Sequence, residues 1–242
     1  MSRSGDEFGG VVKEHSGWLV PLAVFFVTAC LSALVLAYYF APSPSGLGQE
    51  LPSPTDSPIR VSLSIGTVKF RIPANYLPMA STRRGGSKAE VDLAAVLPEF
   101  AGFSLGAADD FNANAPDSPV VYMTLRSSRP PLPEQDRFRR IYLPQVEDEY
   151  GQEGLYGLRQ FTFRADTGYH SQDLYFAASD PDPAALICDR PDANTPSPNC
   201  LRDYPLSNGL ALAYRFKRAR LEQWREIDKH VRALIAGFEN KS

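Results

Sequence analysis

Leu210–Phe238 reads LALAYRFKRARLEQWREIDKHVRALIAGF, and its two halves keep different periods. In the first half Leu210, Leu212, Tyr214 and Phe216 fall on alternate positions, while Arg215 and Lys217 take the other side. That is the spacing of a strand with one buried face. In the second half Leu221, Trp224, Ile227, Val231, Leu234, Ile235 and Phe238 recur every three or four residues. Glu222, Arg225, Glu226, Lys229 and Arg232 fill the opposite side, so this half reads as an amphipathic helix. A strand running straight into a helix that needs a sheet to lie on predicts an α+β domain.

The stretches upstream carry the same alternation. Leu158–Arg164 sets Phe161 and Phe163 on one side, Asp173–Ala177 sets Leu174 and Phe176, and Ala184–Cys188 follows. Such short strands separated by turns predict an antiparallel meander. Val120–Leu125, VVYMTL, is apolar and β-branched enough for a central strand. Glu134–Tyr142, EQDRFRRIY, spaces Phe138, Ile141 and Tyr142 as one short surface helix that stops before Pro144. Ala89–Val96 reads as a strand before a short helix, and Arg60–Ile65 with Val68–Ile72 reads as a hairpin about Gly66-Thr67.

The order of these elements, with a strand ending in Phe70-Arg71-Ile72-Pro73 and a closing amphipathic helix, resembles PsbP-type domains. That likeness concerns fold order and implies no function.

Trp18–Phe40 contains no charged residue. As a helix it rises roughly 35 Å at ~1.5 Å per residue, enough for a hydrocarbon core about 30 Å thick. The expected fold class is therefore α+β behind an N-terminal single transmembrane helix. Its antiparallel sheet carries a short helix and the C-terminal amphipathic helix on one face. Trp18 and Tyr38-Tyr39 suit the two interfaces, and Arg3 and Lys13 before the span favour a cytoplasmic tail. A cleavable signal has a shorter apolar run. Val27-Thr28-Ala29-Cys30 matches a lipoprotein acylation pattern, but Leu31–Ala37 stays apolar beyond it, which favours an uncleaved span. The expected organisation is a cytoplasmic tail 1–17, a span 18–40, a Pro/Ser-rich spacer 41–58 and an extracytoplasmic domain 59–242.

The chain has 242 residues, a net charge of −3 and 21 prolines, which fits one folded domain and argues against a nucleic-acid partner. Beyond Cys30 in the apolar stretch, only Cys188 and Cys200 remain. They flank a polar, proline-rich loop, and outside the cytoplasm they are expected to form a disulfide.

Motifs for chemistry are absent from the sequence. There is no Gly-x-Ser-x-Gly elbow, no His-Glu-x-x-His pair and no phosphate-cradling glycine loop. No catalytic, cofactor or metal residue is therefore assigned. His15, His170 and His230 are scattered; His170 lies in a turn, and Asp180 and Asp182 look like turn formers. Arg215, Lys217, Arg218, Arg220 and Arg225 form the main basic run, a candidate patch for an anionic partner. The expected function is a membrane-anchored, extracytoplasmic, non-catalytic module with a protein partner in the envelope. The alternatives are an enzyme with a dispersed site, and an immunity or inhibitor protein acting outside the cytoplasm.

Overall fold

A computed structural model describes residues 17–40, 50–127, 132–178, 182–192, 194–206 and 209–240. It divides into two compact units, one ending at Gln49 and the other beginning at Glu50.

In the first unit the described element is helix α1, Leu19–Phe40. Thr28 in its middle returns its hydroxyl to the carbonyls of Val24 and Phe25, both at 2.9 Å, so the polar group is satisfied within the helix. Side chains are described over 20–36, and these are exposed. Among the described residues, no helix is long and apolar enough to cross a membrane. The tail charges, the side chains of Tyr38 and Tyr39, and positions 41–49 lie outside the described residues.

The second unit contains, in chain order, β1 (Arg60–Ile65), β2 (Val68–Pro73), α2 (Ala80–Arg83), β3 (Gly86–Lys88), β4 (Glu90–Val96), α3 (Ala108–Asn112) and β5 (Val120–Ser127). There follow α4 (Glu134–Arg137), a π-helical turn (Phe138–Tyr142) and a 3-10 turn (Leu143–Gln145). The remaining elements are β6 (Gln152–Glu153), β7 (Arg159–Thr162), β8 (Gln172–Ala177), β9 (Ala184–Asp189), β10 (Asn199–Pro205), β11 (Leu210–Lys217) and α5 (Trp224–Phe238). The class is α+β, with antiparallel sheets and a C-terminal helix.

Two sheets form, where the alternation predicted one. The hairpin β1–β2 makes its own three-stranded sheet, with β3 parallel to β1. Gly85 permits that return: its φ is +72°, and a Cβ there would lie 2.6 Å from the Ser62 carbonyl. The larger sheet runs β4-β5-β11-β10-β9-β8-β7-β6, all neighbours antiparallel. Its last strand, β11, lies in the interior beside β5.

The main core lies between the large sheet, the small sheet and α5. Leu93, Met123, Leu212 and Phe216 of the large sheet meet Ile65, Phe70 and Ile72 of the small one, and Trp224, Ile227, Val231 and Ile235 of α5. Each such side chain stabilises by about 1.5–3 kcal/mol relative to exposure. The other face of the large sheet is also partly covered. Phe138, Tyr142 and Val146 pack there on Phe161, Phe163, Leu174 and Phe176. Helical segments thus occupy both faces, not one. The cause lies in β8, where Asp173 to Ala177 are all buried, so the strand needs a partner on each side.

The second half of the proline-rich stretch belongs to this unit. Ser53 N–H bonds the Pro78 carbonyl at 2.9 Å, Asn75 N–H bonds the Ser57 carbonyl at 3.0 Å, and Ser81 N–H bonds the Glu50 carboxylate at 2.7 Å. Where the composition suggests a spacer up to Pro58, the backbone is held from Glu50 onward.

Candidate functional site

The short helical segment 134–146 covers the second sheet face only over β7, β8 and β9. Over β4, β5, β11 and β10 that face stays open. Alternation sends Asp92 and Ala94, Tyr122 and Thr124, Ala213 and Arg215, and Leu201 to it. Small residues, Ala94, Thr124 and Ala213, form the floor, and the result is a cavity of about 470 Å³. Its lining includes the aromatic side chains Phe103, Phe111 and Tyr122 and the apolar Pro52, Pro54 and Met79. Phe103 and Phe111 pack edge to face, their centroids 5.3 Å apart.

Two pairs of polar side chains in this groove hold one another, while the buried Asn75 Oδ1 at its wall has no hydrogen-bond partner among the described residues. The Thr124 hydroxyl donates to Asp92 Oδ1 at 2.8 Å, and the Arg215 guanidinium lies over the Tyr122 ring at 4.9 Å. Arg126 sits 3.7 Å from Asp203 at the floor's far end. Leu201 is 41 % exposed on the open face, a large apolar side chain without a cover among the described residues. The groove thus offers apolar contact area with a few fixed polar groups, which is the make-up of a binding surface.

The five basic residues of the sequence patch do not converge. Arg215 alone faces the groove. Lys217 is buried, donating to Asn114 Oδ1 at 2.6 Å and the Ser197 carbonyl at 3.3 Å. Burial, with Arg215 nearby, lowers its pKa from the usual lysine value. Arg218 turns to the other side, binding Asp173 at 2.9 Å and the Tyr175 hydroxyl at 2.7 Å. Arg220 donates to the Asp117 carbonyl at 2.6 Å. Arg225 stacks on Trp224 and donates to the Tyr156 carbonyl at 2.6 Å. His170 is exposed in its turn with Nδ1 3.1 Å from the Thr167 carbonyl, and His230 stacks on Phe100. His15 and Asp180 lie outside the described residues.

Cys188 of β9 and Cys200 of β10 are disulfide-bonded and directly opposed in the sheet, both wholly buried. Sequence reasoning missed β10 itself. Its core side carries Arg202, a charge at a position where alternation predicts an apolar residue.

A second cavity, of about 340 Å³, lies over Glu134, Arg202 and Tyr204. Burial raises the Glu134 carboxyl above its ordinary value, against the pull of Arg137, whose Nη1 stands 4.0 Å away. Its Oε1 accepts the Ala185 N–H at 3.0 Å.

Fold and groove define the class: an α+β domain whose larger sheet is closed on one face and half open on the other. No family model matches the chain, and no curated protein matches it. The fold is similar to the solved structure of Smlt3025, an immunity protein of the Stenotrophomonas maltophilia type IV secretion system. The TM-score is 0.56 at 17% identity, over 80% of this chain and 100% of that one. At that identity the similarity is one of fold.

Proposed function

We propose that the chain is an immunity-type inhibitor, held at a membrane by Trp18–Phe40, that binds a toxic protein outside the cytoplasm through the open half of its large sheet. The observation that carries this is the groove between Phe111, Leu201 and Met79, on a fold that matches an immunity protein over that protein's whole length. Three features support the setting. The Cys188–Cys200 bond suits an oxidising compartment. The uncharged stretch 18–40 suits a tether. The Thr124–Asp92 and Arg215–Tyr122 contacts fix polar groups at the groove, which suits a preformed binding surface.

The test is a competition assay. A strain lacking this gene is grown against its parent on a surface, then complemented with wild type, Ala213→Trp or Leu201→Arg. Loss of the gene should sensitise the strain, and wild type should protect. Both groove variants should express and fold yet fail to protect. Equal survival of the deletion strain, or full protection by both variants, overturns the reading.

A further inference from the structure

The small sheet buries one side and shows the other. Alternation turns Leu63, Ile65, Phe70 and Ile72 into the core and Arg60, Ser62, Ser64, Lys69 and Arg71 outward. In register, Ser64 stands opposite Lys69 and Ser62 opposite Arg71, while Ser87 of β3 stands beside Ser64. Arg71 is therefore about 7 Å from Lys69 along its strand and about 8 Å from Arg60 across the ladder. The serines between them are short, so three cations rise above a flat floor of hydroxyls.

The sheet itself does not compensate these charges. Arg60, Lys69 and Arg71 are exposed, and among the described residues their side chains have neither an ion-pair nor a hydrogen-bond partner. The neighbouring carboxylates lie off the face. Glu50 accepts the Ser81 N–H at 2.7 Å and has Arg84 nearby. Asp56 precedes the sheet, where Ser57 meets Asn75. Glu239 bridges Phe70 and so shares its inward side, and Glu90 belongs with Asp92 to the open side of the large sheet. A chain of net charge −3 thus shows one sheet face that is wholly positive.

The route of the chain says what meets this face. The unit begins at Glu50, and Glu50 is bonded to Ser81 of α2. From α2 the chain passes through Gly85, beside the Ser62 carbonyl, straight into β3. The arriving chain and the cationic face therefore share one border of the small sheet. Leu51, next to Glu50, is 80% exposed, and Ile59, next to Arg60, is 73% exposed. Residues 41–49 can reach at most roughly 35 Å from Phe40 to Glu50. A domain tethered through 18–40 therefore stays close to the bilayer surface, at high effective concentration.

We infer that the outer face of β1, β2 and β3 is a lipid-headgroup surface, on which Arg60, Lys69 and Arg71 seat against anionic phospholipids of the membrane that holds the chain. This rests on the tether proposed above. Guanidinium and ammonium groups bond phosphate oxygens directly, and Leu51 and Ile59 supply apolar contact at the rim. Each basic residue close to an anionic surface shifts occupancy about fivefold. Three are too few to hold a free protein there and enough to orient a tethered one. The groove lies on the far face of the large sheet, so this seating turns it away from the bilayer and toward an arriving partner.

The test uses the full chain reconstituted in vesicles of phosphatidylcholine alone, or of phosphatidylcholine mixed with phosphatidylglycerol. A photo-crosslinking amino acid at Ser62 reads the face, the same probe at Gly168, an exposed turn, is the control, and flotation reads the tether. The chain should float with both vesicles. The lipid adduct at Ser62 in the mixed vesicles should exceed that in phosphatidylcholine, and that at Gly168, by roughly fivefold or more. Raising the salt should weaken it. Lys69→Glu with Arg71→Glu should abolish it with flotation and thermal midpoint unchanged. Should that variant misfold, Lys69→Gln with Arg71→Gln serves instead and should cut the adduct several-fold. Equal adducts in the two vesicles, or an adduct that survives these substitutions, overturns the inference. So does loss of the adduct to inorganic phosphate at matched ionic strength, which would mark a discrete site for free phosphate. Flotation with both vesicles and no lipid adduct at Ser62 overturns this inference alone. Flotation with neither, or only with the mixed vesicles, overturns the tether and this inference together.

Discussion

Arg202 of β10 and Asp228 of α5 form an ion pair inside the core, with side chains only 1% and 7% exposed. Asp228 also accepts the Tyr214 hydroxyl at 2.7 Å and pairs with Arg232 at 2.8 Å. The cluster joins two strands of the large sheet to the closing helix. Burial pushes the Tyr214 hydroxyl well above its usual pKa, so it stays a neutral donor to the carboxylate. For Arg202 burial acts to lower the pKa, but Tyr214 and Asp228 outweigh it and the net shift is upward.

Breaking that pair should cost far more than replacing it. Asp228→Asn leaves the Arg202 charge without its counter-ion and should destabilise residues 50–242 by about 3–5 kcal/mol. Arg202→Met with Asp228→Leu and Tyr214→Phe removes the three buried members at once, leaves Arg232 its pair with Asp182, and should cost less than the single change. Urea unfolding followed by Trp224 fluorescence compares the two; a triple variant as unstable as Asp228→Asn would refute the argument.

Glu134 makes a pH prediction. Its folded pKa lies above the ordinary 4.5, with burial as the first cause. A raised carboxyl contributes stability that is fully present below the unfolded value and lost as pH rises through the folded value. Glu134→Gln keeps an acceptor for the Ala185 N–H and removes the charge. The variant should therefore gain in melting temperature over wild type as pH rises from 4 to 7.5, and a constant difference across that range would exclude this origin.

The disulfide closes a loop with a sequence separation of 12, which constrains the unfolded chain by about 2–3 kcal/mol. Cys188→Ala with Cys200→Ala should lower stability by at least that much, because both sulfurs also fill core space. Reductant should destabilise wild type and leave the double variant unchanged in the same melt.

Along α5 the sites differ. Val231 is fully buried and Leu234 only partly. Val231→Asp should abolish folding, whereas Leu234→Asp should leave a destabilised but folded domain. Circular dichroism at room temperature separates the outcomes.

These residues also mark how far the sequence could be read. The change of period between Leu210–Phe216 and Leu221–Phe238 located β11 and α5, because both bury apolar side chains on one side. The same rule passed over β10, since Arg202 stands on its core side and its counter-charge lies elsewhere in the chain, at Asp228. One-sided helices were expected because Phe138 and Tyr142 gave only a short apolar stripe. The unbroken burial along β8 shows why that stripe needed its own face. The groove had no local signal at all: Asp92, Tyr122, Leu201 and Arg215 come together only when β11 inserts between β5 and β10. The basic run looked like a patch because neighbours in sequence were read as neighbours in space, and alternation plus the turn into α5 sends them apart.

The Cys188–Cys200 bond has one consequence beyond cross-linking. Side chains along β10 alternate, so a slip of one residue against β9 would exchange Leu201 and Arg202 between core and groove. With Cys200 covalently fixed opposite Cys188, that exchange is closed off. The bond thus acts as a register key, holding the charge inward and the leucine outward, and so decides what a partner meets on the open face.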